Sequence, residues 1–275
     1  MTGTVHLTID GKPAEVPEGT TLRAACEAQG IQVPTLCWAE NLVPANVCRV
    51  CVVEVEGARV LVPACSRAVE PGMVVHTDSE RVRTSRKLVL ELLGSSVDMS
   101  QSGDFQAYAK RYGADPARFG PAATVAEPPR VDNALFVRDY AKCMLCTKCV
   151  QACGEEAQNS FAIAVAGRGF DARISTEYEV SLPESACVFC GNCIGVCPTN
   201  ALVFTREYEL RRDGQWDESR QAVTDTVCGY CGVGCTLTLR VQDNTIVRVT
   251  SPSDNPVTRG HLCVKGRFGW GYVED

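Results

Sequence analysis

The sequence predicts an α+β protein made of several small domains, and three observations support this. Sixteen of its 17 cysteines fall into four groups of four, separated by long stretches without cysteine. Residues 136–205 contain the same cysteine run twice, 44 residues apart. Short alternating strands, a helix and a hairpin precede this repeat, and another hairpin follows it. With 275 residues, 45% of them hydrophobic, the chain is long enough for more than one buried core.

Composition and charge exclude several classes of partner. The net charge is −6 and no segment is strongly basic, which argues against nucleic acid or an anionic membrane as the main partner. No apolar run approaches the length of a membrane span, and the first ten residues do not resemble a signal peptide. We therefore expect a cytoplasmic protein. Disulfides are rare in that compartment, so the cysteines indicate metal or redox chemistry.

Residues 1–78 are predicted to form strands joined by hairpins. Residues 5–9 alternate between apolar and polar with period two, and Asp10-Gly11 is typical of a tight turn into a second strand. Residues 50–55 and 59–62 are expected to form another hairpin. The cysteines of the first group lie around this hairpin and in the loop before it.

Three helices are predicted before the repeat. The first begins at Thr20-Thr21 and ends at Gly30, and its inward face holds Leu22, Ala25 and Cys26. The second covers Ser79–Leu93 and stops at Gly94, with an inward face made of Val82, Leu88, Val89, Leu92 and Leu93. A third helix is indicated by the aromatic side chains Phe105, Tyr108 and Tyr112.

The remaining segments divide into connectors and a closing domain. Residues 79–135 are expected to be a helical connector that ends in a proline-rich linker, Ala114–Pro129. Residues 206–226 are polar and are expected to be a second connector. Residues 227–275 are expected to form a small domain with a hairpin around Asp243-Asn244.

The repeat carries the most specific pattern in the sequence. Each half is a C-x2-C-x2-C-x3-C run, and Pro198 follows the second run. This is the bacterial ferredoxin signature, in which the fourth cysteine of each run ligates the cluster of the other run. By that rule, one [4Fe–4S] cluster is held by Cys143, Cys146, Cys149 and Cys197, and the other by Cys187, Cys190, Cys193 and Cys153. Two zinc sites are the alternative, because zinc also uses C-x2-C pairs.

The first cysteine group is spaced C-x10-C-x2-C-x13-C and consists of Cys37, Cys48, Cys51 and Cys65. It shares a central C-x2-C and a distant fourth cysteine with plant-type ferredoxins. On its strand, helix and hairpin scaffold it resembles the β-grasp [2Fe–2S] domain that begins the large iron–sulfur subunit of NADH:quinone oxidoreductase, iron-only hydrogenases and NAD-linked formate dehydrogenases. The resemblance implies a [2Fe–2S] ferredoxin domain over residues 1–78, with a zinc site as the alternative.

The resemblance extends along the chain with one departure. Phe136–Cys143 is similar to the entry of the two-cluster domain in those proteins. Many of them insert a further cluster, held by one histidine and three cysteines, between the two modules. Here no cysteine lies between Cys65 and Cys143, and residues 95–100 offer no soft ligands, so we expect that cluster to be absent.

The last cysteine group distinguishes between these relatives. It consists of Cys228, Cys231, Cys235 and Cys263, and Lys265-Gly266-Arg267 follows. It resembles the N-terminal [4Fe–4S] domain of the molybdenum and tungsten bis-pterin oxidoreductases, formate dehydrogenases in particular. In that family the lysine matched by Lys265 lies between cluster and pterin, which implies a cofactor-binding role for Lys265.

These resemblances imply three domains: a β-grasp [2Fe–2S] ferredoxin domain, a 2[4Fe–4S] bacterial-ferredoxin-like domain over residues 136–205, and a small molybdopterin-oxidoreductase-type [4Fe–4S] domain over residues 227–275. The chain would then carry one [2Fe–2S] and three [4Fe–4S] clusters. It would relay electrons between a Mo- or W-pterin catalytic subunit acting on formate and CO2 and a flavin/NAD(P)-binding diaphorase-type subunit. The molybdopterin is expected in the partner subunit, because no catalytic site for formate is recognisable in this sequence.

Two other functions remain as alternatives: an electron-transfer subunit of a hydrogenase or NADH dehydrogenase complex, and a zinc-stapled interaction module.

Residues outside the four groups receive structural interpretations. Cys26 is expected to be a buried helix residue, because free cysteine packs as a small hydrophobe. His261 is not needed as a ligand, because four thiolates already suffice. The side chains of Arg81, Arg83, Arg86 and Lys87 are expected on the solvated face of their helix.

Overall fold

The computed structural model describes residues 3–120 and 127–273 and divides the chain into two compact units. The first unit comprises Met1–Trp38 and Pro44–Ala123, and the second comprises Ala39–Val43 and Thr124–Asp275. No helix among the described residues is both long enough and apolar enough to cross a membrane.

A five-stranded mixed sheet forms the centre of the first unit, in the order β2-β1-β5-β3-β4. Its strands are β1 Thr4–Ile9, β2 Lys12–Pro17, β3 Val52–Val55, β4 Val62–Pro63 and β5 Val74–His76. The β1–β2 hairpin is confirmed: Asp10 and Gly11 both have positive φ, as a two-residue hairpin turn requires. The expected second hairpin is confirmed but shorter, since β4 pairs with β3 only at Val62 and Pro63.

Strand β5 was not predicted from the sequence. It has three residues, pairs parallel with β1 and antiparallel with β3, and so joins the two hairpins into one sheet. Three residues are too few to show a period of two, so only the pairing partners reveal this strand.

Helix α1, Leu22–Ala28, begins as predicted. The Thr21 hydroxyl accepts a hydrogen bond from the Ala24 amide at 3.2 Å, which caps the first turn. The predicted inward residues Leu22, Ala25 and Cys26 are buried against the sheet.

Helix α2, Glu80–Ser96, differs from the prediction in its length and in its buried face. It continues through Gly94, and it buries Val82, Arg86, Leu90, Glu91 and Ser95. Leu88 and Leu92, expected inward, are exposed. The expectation that Arg86 lies on the solvated face is also wrong, because this side chain is only 1% exposed.

Helix α3, Gly103–Tyr112, is confirmed, with Phe105 and Tyr112 buried. The segment after it belongs to the first unit instead of being a free linker. Its Pro116 carbonyl accepts a hydrogen bond from the Ser95 hydroxyl, and Arg118 pairs with the buried carboxylate of Glu91 at 2.6 Å. Residues 121–126 of the predicted linker lie outside the described residues.

In the second unit, two short antiparallel strands, β6 Phe136–Arg138 and β9 Leu202–Phe204, flank the cysteine repeat. Helices α4 Lys148–Cys153 and α5 Asn192–Gly195 occupy equivalent places in the two halves, which confirms the repeat structurally. A small hairpin of β7 Ala164–Ala166 and β8 Arg173–Ser175 lies between them.

The closing domain is built on a three-stranded antiparallel sheet. Its elements are α6 Thr205–Arg212, β10 Gln221–Val227, β11 Thr236–Gln242, β12 Thr245–Thr250 and α7 Val264–Phe268. The hairpin around Asp243-Asn244 is confirmed. Residues 206–226 are not a simple connector, because they contain most of α6 and most of β10, which pairs with β11 along its whole length.

Candidate metal centres

The structure brings together the four cysteines of the first group in the first unit. The Cys48 amide donates a hydrogen bond to Cys37 Sγ at 3.4 Å, and all four side chains are buried. The pKa of Cys48 is raised, mainly by a hydrogen bond with Cys37 and next by burial. The pKa of Cys51 is raised in the same way, mainly by a hydrogen bond with Cys65 and next by burial. The same hydrogen bond is the largest cause that lowers the pKa of Cys65. The sulfurs thus form two hydrogen-bonded pairs, Cys37 with Cys48 and Cys51 with Cys65, at one site.

Cysteines from both halves of the repeat meet at each of two sites in the second unit. At one of them, burial first and the neighbouring Cys197 as well raise the pKa of Cys143 to about 11 and the pKa of Cys146 to about 12. Burial raises the pKa of Cys149, and repulsion from its neighbours Cys146, Cys197, Cys193 and Cys143 raises this pKa as well. Cys197 therefore lies with the first run, although it ends the second.

The other site shows the reciprocal arrangement. Burial raises the pKa of Cys193, and the next contributions come from Cys190, Cys187 and Cys153. The same four cysteines line a cavity whose remaining walls are largely apolar, including Phe136, Ile163, Leu182 and Leu202. Cys153 thus lies with the second run. The charge of Cys193 also raises the pKa of Cys149, so the two sites are neighbours.

The two runs fold in the same way because the same backbone positions turn. The second residue after the first cysteine of each run has positive φ, Leu145 at 53° and Phe189 at 54°. The fourth residue does too, Thr147 at 60° and Gly191 at 72°, immediately before α4 and α5. Left-handed residues within such a loop turn successive amides towards one centre, which suits a group of anionic sulfurs.

The last cysteine group lies nearer the surface. Cys228 is buried, Cys235 is half-buried, and Cys231 and Cys263 are exposed. Burial and then the neighbours Cys228, Cys231 and Cys263 raise the pKa of Cys235, which places the four together. Cys263 immediately precedes α7, and Lys265 on that helix is exposed.

The residues outside the four groups have separate surroundings. Cys26 is completely buried in the core of the first unit, as predicted, and burial raises its pKa to about 11. His261 lies 3.3 Å from the side-chain amide of Asn41 through its Nε2 atom, and burial lowers its pKa. Neither residue belongs to a cysteine group.

The donor set fits iron–sulfur clusters. Each site presents four thiols, the soft ligands that such clusters require. Thiols with raised pKa hold their protons at neutral pH, and a coordinated cation displaces them. Among residues 3–120 and 127–273, no group of three or more His, Cys, Asp or Glu side chains is arranged around a single metal ion.

Two buried arginines beside the repeat were not singled out from the sequence. Arg138 lines the cavity with Cys153 and pairs with Asp132. Arg267 is completely buried and bonds to the backbone carbonyl of Cys190. Arg138 lies within the Phe136–Cys143 segment and Arg267 within the Lys265-Gly266-Arg267 motif, but nothing in either pattern indicates that the arginine is buried.

Three protein families match separate parts of the chain. Residues 2–80 match a 2Fe-2S iron–sulfur cluster binding domain, residues 142–201 a 4Fe-4S dicluster domain, and residues 221–275 a molybdopterin oxidoreductase Fe4S4 domain. The α+β multidomain fold with these three kinds of iron–sulfur domain is therefore confirmed. The third match begins at Gln221, the first residue of β10, in agreement with the sheet.

Longer proteins resemble nearly the whole chain. A subunit of an NADH-quinone oxidoreductase from Rhizobium meliloti is 35% identical over 98% of this chain and 32% of its own length. A putative formate dehydrogenase of Staphylococcus haemolyticus is 28% identical over 97% of this chain and 31% of its own length. The chain thus spans about a third of the length of these relatives.

A solved structure shares the fold. A chain of the NAD+-reducing [NiFe]-hydrogenase in the H2-reduced state superposes with a TM-score of 0.66 and 26% identity, covering 74% of this chain and 88% of that one.

Proposed function

We propose that this chain is the iron–sulfur electron-transfer part of an NAD(P)-linked oxidoreductase complex, with one [2Fe–2S] and three [4Fe–4S] clusters. The observation that carries the proposal is the gathering of 16 cysteines into four groups of four, within three iron–sulfur domain types. Clusters bound at these sites would supply one-electron transfer. The chain's own residues would bind them, bury them to different depths and set the charge around them.

The proposed ligands follow the grouping of the thiols. Each of the two clusters in the repeat would take three cysteines from one run and the fourth from the other, and the electrostatic influence of Cys197 on Cys146 and of Cys153 on Cys193 supports this assignment. This exchange explains why both runs are needed in one compact domain. The other two sites use the first and last cysteine groups, so that Cys26 is the one cysteine without a ligand role.

The reaction proposed for the complex is formate oxidation to CO2, with electrons passing between a Mo- or W-pterin centre and a flavin/NAD(P)-binding subunit. The last domain supports a pterin partner, because its family is named for molybdopterin oxidoreductases. The exposure of Cys231, Cys263 and Lys265 suits contact between this site and a pterin carried by another polypeptide or domain. We assign Lys265 to that contact.

A hydrogenase or NADH–quinone oxidoreductase complex is the second candidate. The similarity to the R. meliloti NADH-quinone oxidoreductase chain and to the NAD+-reducing hydrogenase chain favours it. Both candidates share the electron-relay role and differ in the donor that reduces the clusters.

Metal analysis tests the relay itself. One two-iron and three four-iron clusters sum to about 14 iron and about 14 sulfide per chain. We expect these values, a brown colour and a visible absorption that bleaches on reduction, measured on anaerobically purified chain. About four zinc with little iron would identify a zinc-stapled module instead, and about 10 iron would show that one four-iron site is misassigned.

The donor is tested with the complex that co-purifies with the chain. Formate, H2 or NADH is added separately, and the bleaching of the clusters is followed. Formate-dependent bleaching is expected, and Lys265→Ala should slow it without lowering the iron content. The matched control is Lys12→Ala, an exposed lysine on β2 of the first unit. Bleaching by H2 or NADH but not formate would favour the second candidate.

A further inference from the structure

Arg267 is a buried cation next to the cysteine site formed by Cys153, Cys187, Cys190 and Cys193. We propose that its charge raises the reduction potential of the four-iron cluster held there. The inference rests on the proposed ligand assignment and adds a residue that sets the order of electron flow through it.

Within residues 3–120 and 127–273, every hydrogen bond of the Arg267 side chain goes to an uncharged acceptor. Nε donates to the Cys190 carbonyl at 3.1 Å, and one terminal nitrogen donates to the Val249 carbonyl at 3.2 Å. The other donates to Asn192 Oδ1 at 3.0 Å and to the Gly260 carbonyl at 3.5 Å. Among the described residues, Arg267 takes part in no ion pair, although its side chain is completely inaccessible to solvent.

A buried guanidinium without a carboxylate partner is costly, so a counter-charge is required. Burial lowers the pKa of Arg267 to about 10, so the guanidinium is still charged at neutral pH. The negative charges of Cys193 and Cys190 act in the opposite direction and raise this pKa. The negative charge of a cluster ligated by these cysteines is therefore the available counter-charge.

The backbone of the second run is shaped to admit this side chain. A Cβ atom at Gly191 would collide with the Arg267 side chain and with the Phe268 ring. A Cβ atom at Gly195 would lie 3.3 Å from a guanidinium nitrogen. Two glycines on either side of Cys193 thus leave room for one arginine from α7.

A second buried arginine shows why Arg267 is distinctive. Arg138 lines the cavity that holds Cys153, Cys187, Cys190 and Cys193, but the carboxylate of Asp132 pairs with it and compensates its charge. The neighbouring site has its own buried cation, Lys148, whose positive charge lowers the pKa of Cys146. Removal of Arg267 should therefore affect one cluster and leave the other.

The direction of the effect follows from electrostatics. Reduction adds one negative charge to a cluster, so a nearby fixed positive charge stabilises the reduced form more than the oxidised form. Solvent and salt screen the charge of a buried side chain such as Arg267 much less than that of an exposed one. Loss of the charge should make the potential of this cluster more negative.

The test is an anaerobic redox titration of the full-length chain carrying its clusters, followed by EPR. Arg267→Gln removes the charge at similar size, and Arg267→Lys keeps it. The Cys153→Ser variant identifies which reduction step in the titration belongs to this cluster, because only that step should change. For Arg267→Gln we expect at least a tenfold lower ratio of reduced to oxidised cluster at a fixed ambient potential, which corresponds to about 59 mV for a one-electron couple.

Arg267→Lys should retain most of the original potential, and the matched control Arg259→Gln, at an exposed arginine of the same domain, should leave it unchanged. Equal shifts in the Gln and Lys variants would assign the effect to the hydrogen bonds and overturn the proposal. An unmoved potential in Arg267→Gln would overturn it as well.

If the Arg267→Gln chain fails to retain the cluster, a second variant, Asn192→Asp, tests the proposal. Asn192→Asp keeps the acceptor oxygen for the Arg267 guanidinium and the Leu262 amide while adding a negative charge. Asn192→Asp should make the reduction potential of the same cluster more negative. An unchanged potential would contradict the proposal. Absence of four-iron signals from the unsubstituted chain would instead contradict the proposed function.

Discussion

Cys26 and Cys153 differ in what surrounds their sulfur atoms. Cys26 is enclosed by the aliphatic core of the first unit, among side chains such as Leu22 and Val53. Cys153 lines a cavity together with three other cysteines. The same residue type therefore serves as a core side chain in one place and as a proposed ligand in the other.

Substituting these two cysteines separates the roles. Cys26→Ala should leave the iron content and the EPR spectrum of the reduced chain unchanged and destabilise the first unit by about 1 kcal/mol, because a small buried group is lost. Cys153→Ala should damage the cluster of Cys187, Cys190 and Cys193, measured by iron content and EPR. Iron loss after Cys26→Ala, or damage confined to the Cys143 site after Cys153→Ala, would overturn the ligand assignment.

Helix α2 is attached to its unit by a buried arginine. The Arg86 guanidinium donates to the Tyr112 hydroxyl of α3 at 2.7 Å and to the Val52 carbonyl of β3 at 2.9 Å. One side chain thereby ties two helices and the sheet together. Its own burial is the main cause that lowers the pKa of Arg86.

Removing this side chain should destabilise the first unit strongly. Arg86→Ala leaves the Val52 carbonyl without its donor and opens a cavity, so we expect a loss of about 3 kcal/mol, measured by thermal unfolding. The control is Arg83→Ala on the same helix. Arg83 pairs with Asp78 at the surface, where such pairs contribute little, so its loss should cost less than about 1 kcal/mol. Equal effects would contradict the role assigned to Arg86.

The two units of the molecule are held together internally by different means. The first has an aliphatic core built from strand residues and α1, with Ile9, Leu22 and Val75 completely buried. The core of the cysteine repeat combines aliphatic side chains with aromatic rings, and half of the partly buried residues packed against it are cysteines. Its helices and strands are only three to six residues long, too short to be stable alone.

Iron removal should therefore affect the two units unequally. After treatment with a chelator and an oxidant, we expect the second unit to lose protease resistance, because cluster binding contributes its folding free energy. A fragment within residues 1–123 should persist, detected by limited proteolysis and mass spectrometry. The iron-loaded chain, digested in parallel, is the control. Preferential survival of the second unit would contradict this view of its stability.

Local patterns in the sequence predict the elements whose causes are local. The Asp10-Gly11 turn and the Thr21 cap depend on neighbouring residues, and the structure shows the β1–β2 hairpin and α1 where they were expected. The repeated cysteine runs predict two similar halves, and the short helices α4 and α5, which were not predicted, occupy equivalent places in them. Three-residue strands such as β5 escape prediction because their hydrogen-bonding partners are distant in sequence.

By itself, the sequence determined the number and grouping of the cysteines and the order of the domains, because spacing along the chain limits which thiols can surround one cluster. Tertiary structure alone decided which face of α2 is buried, that β10 completes a sheet, and that Arg267 lies uncompensated beside Cys190. Burial depends on what packs against a side chain from elsewhere in the chain. A helical or polar pattern cannot contain that information, so these features emerge only when distant segments meet.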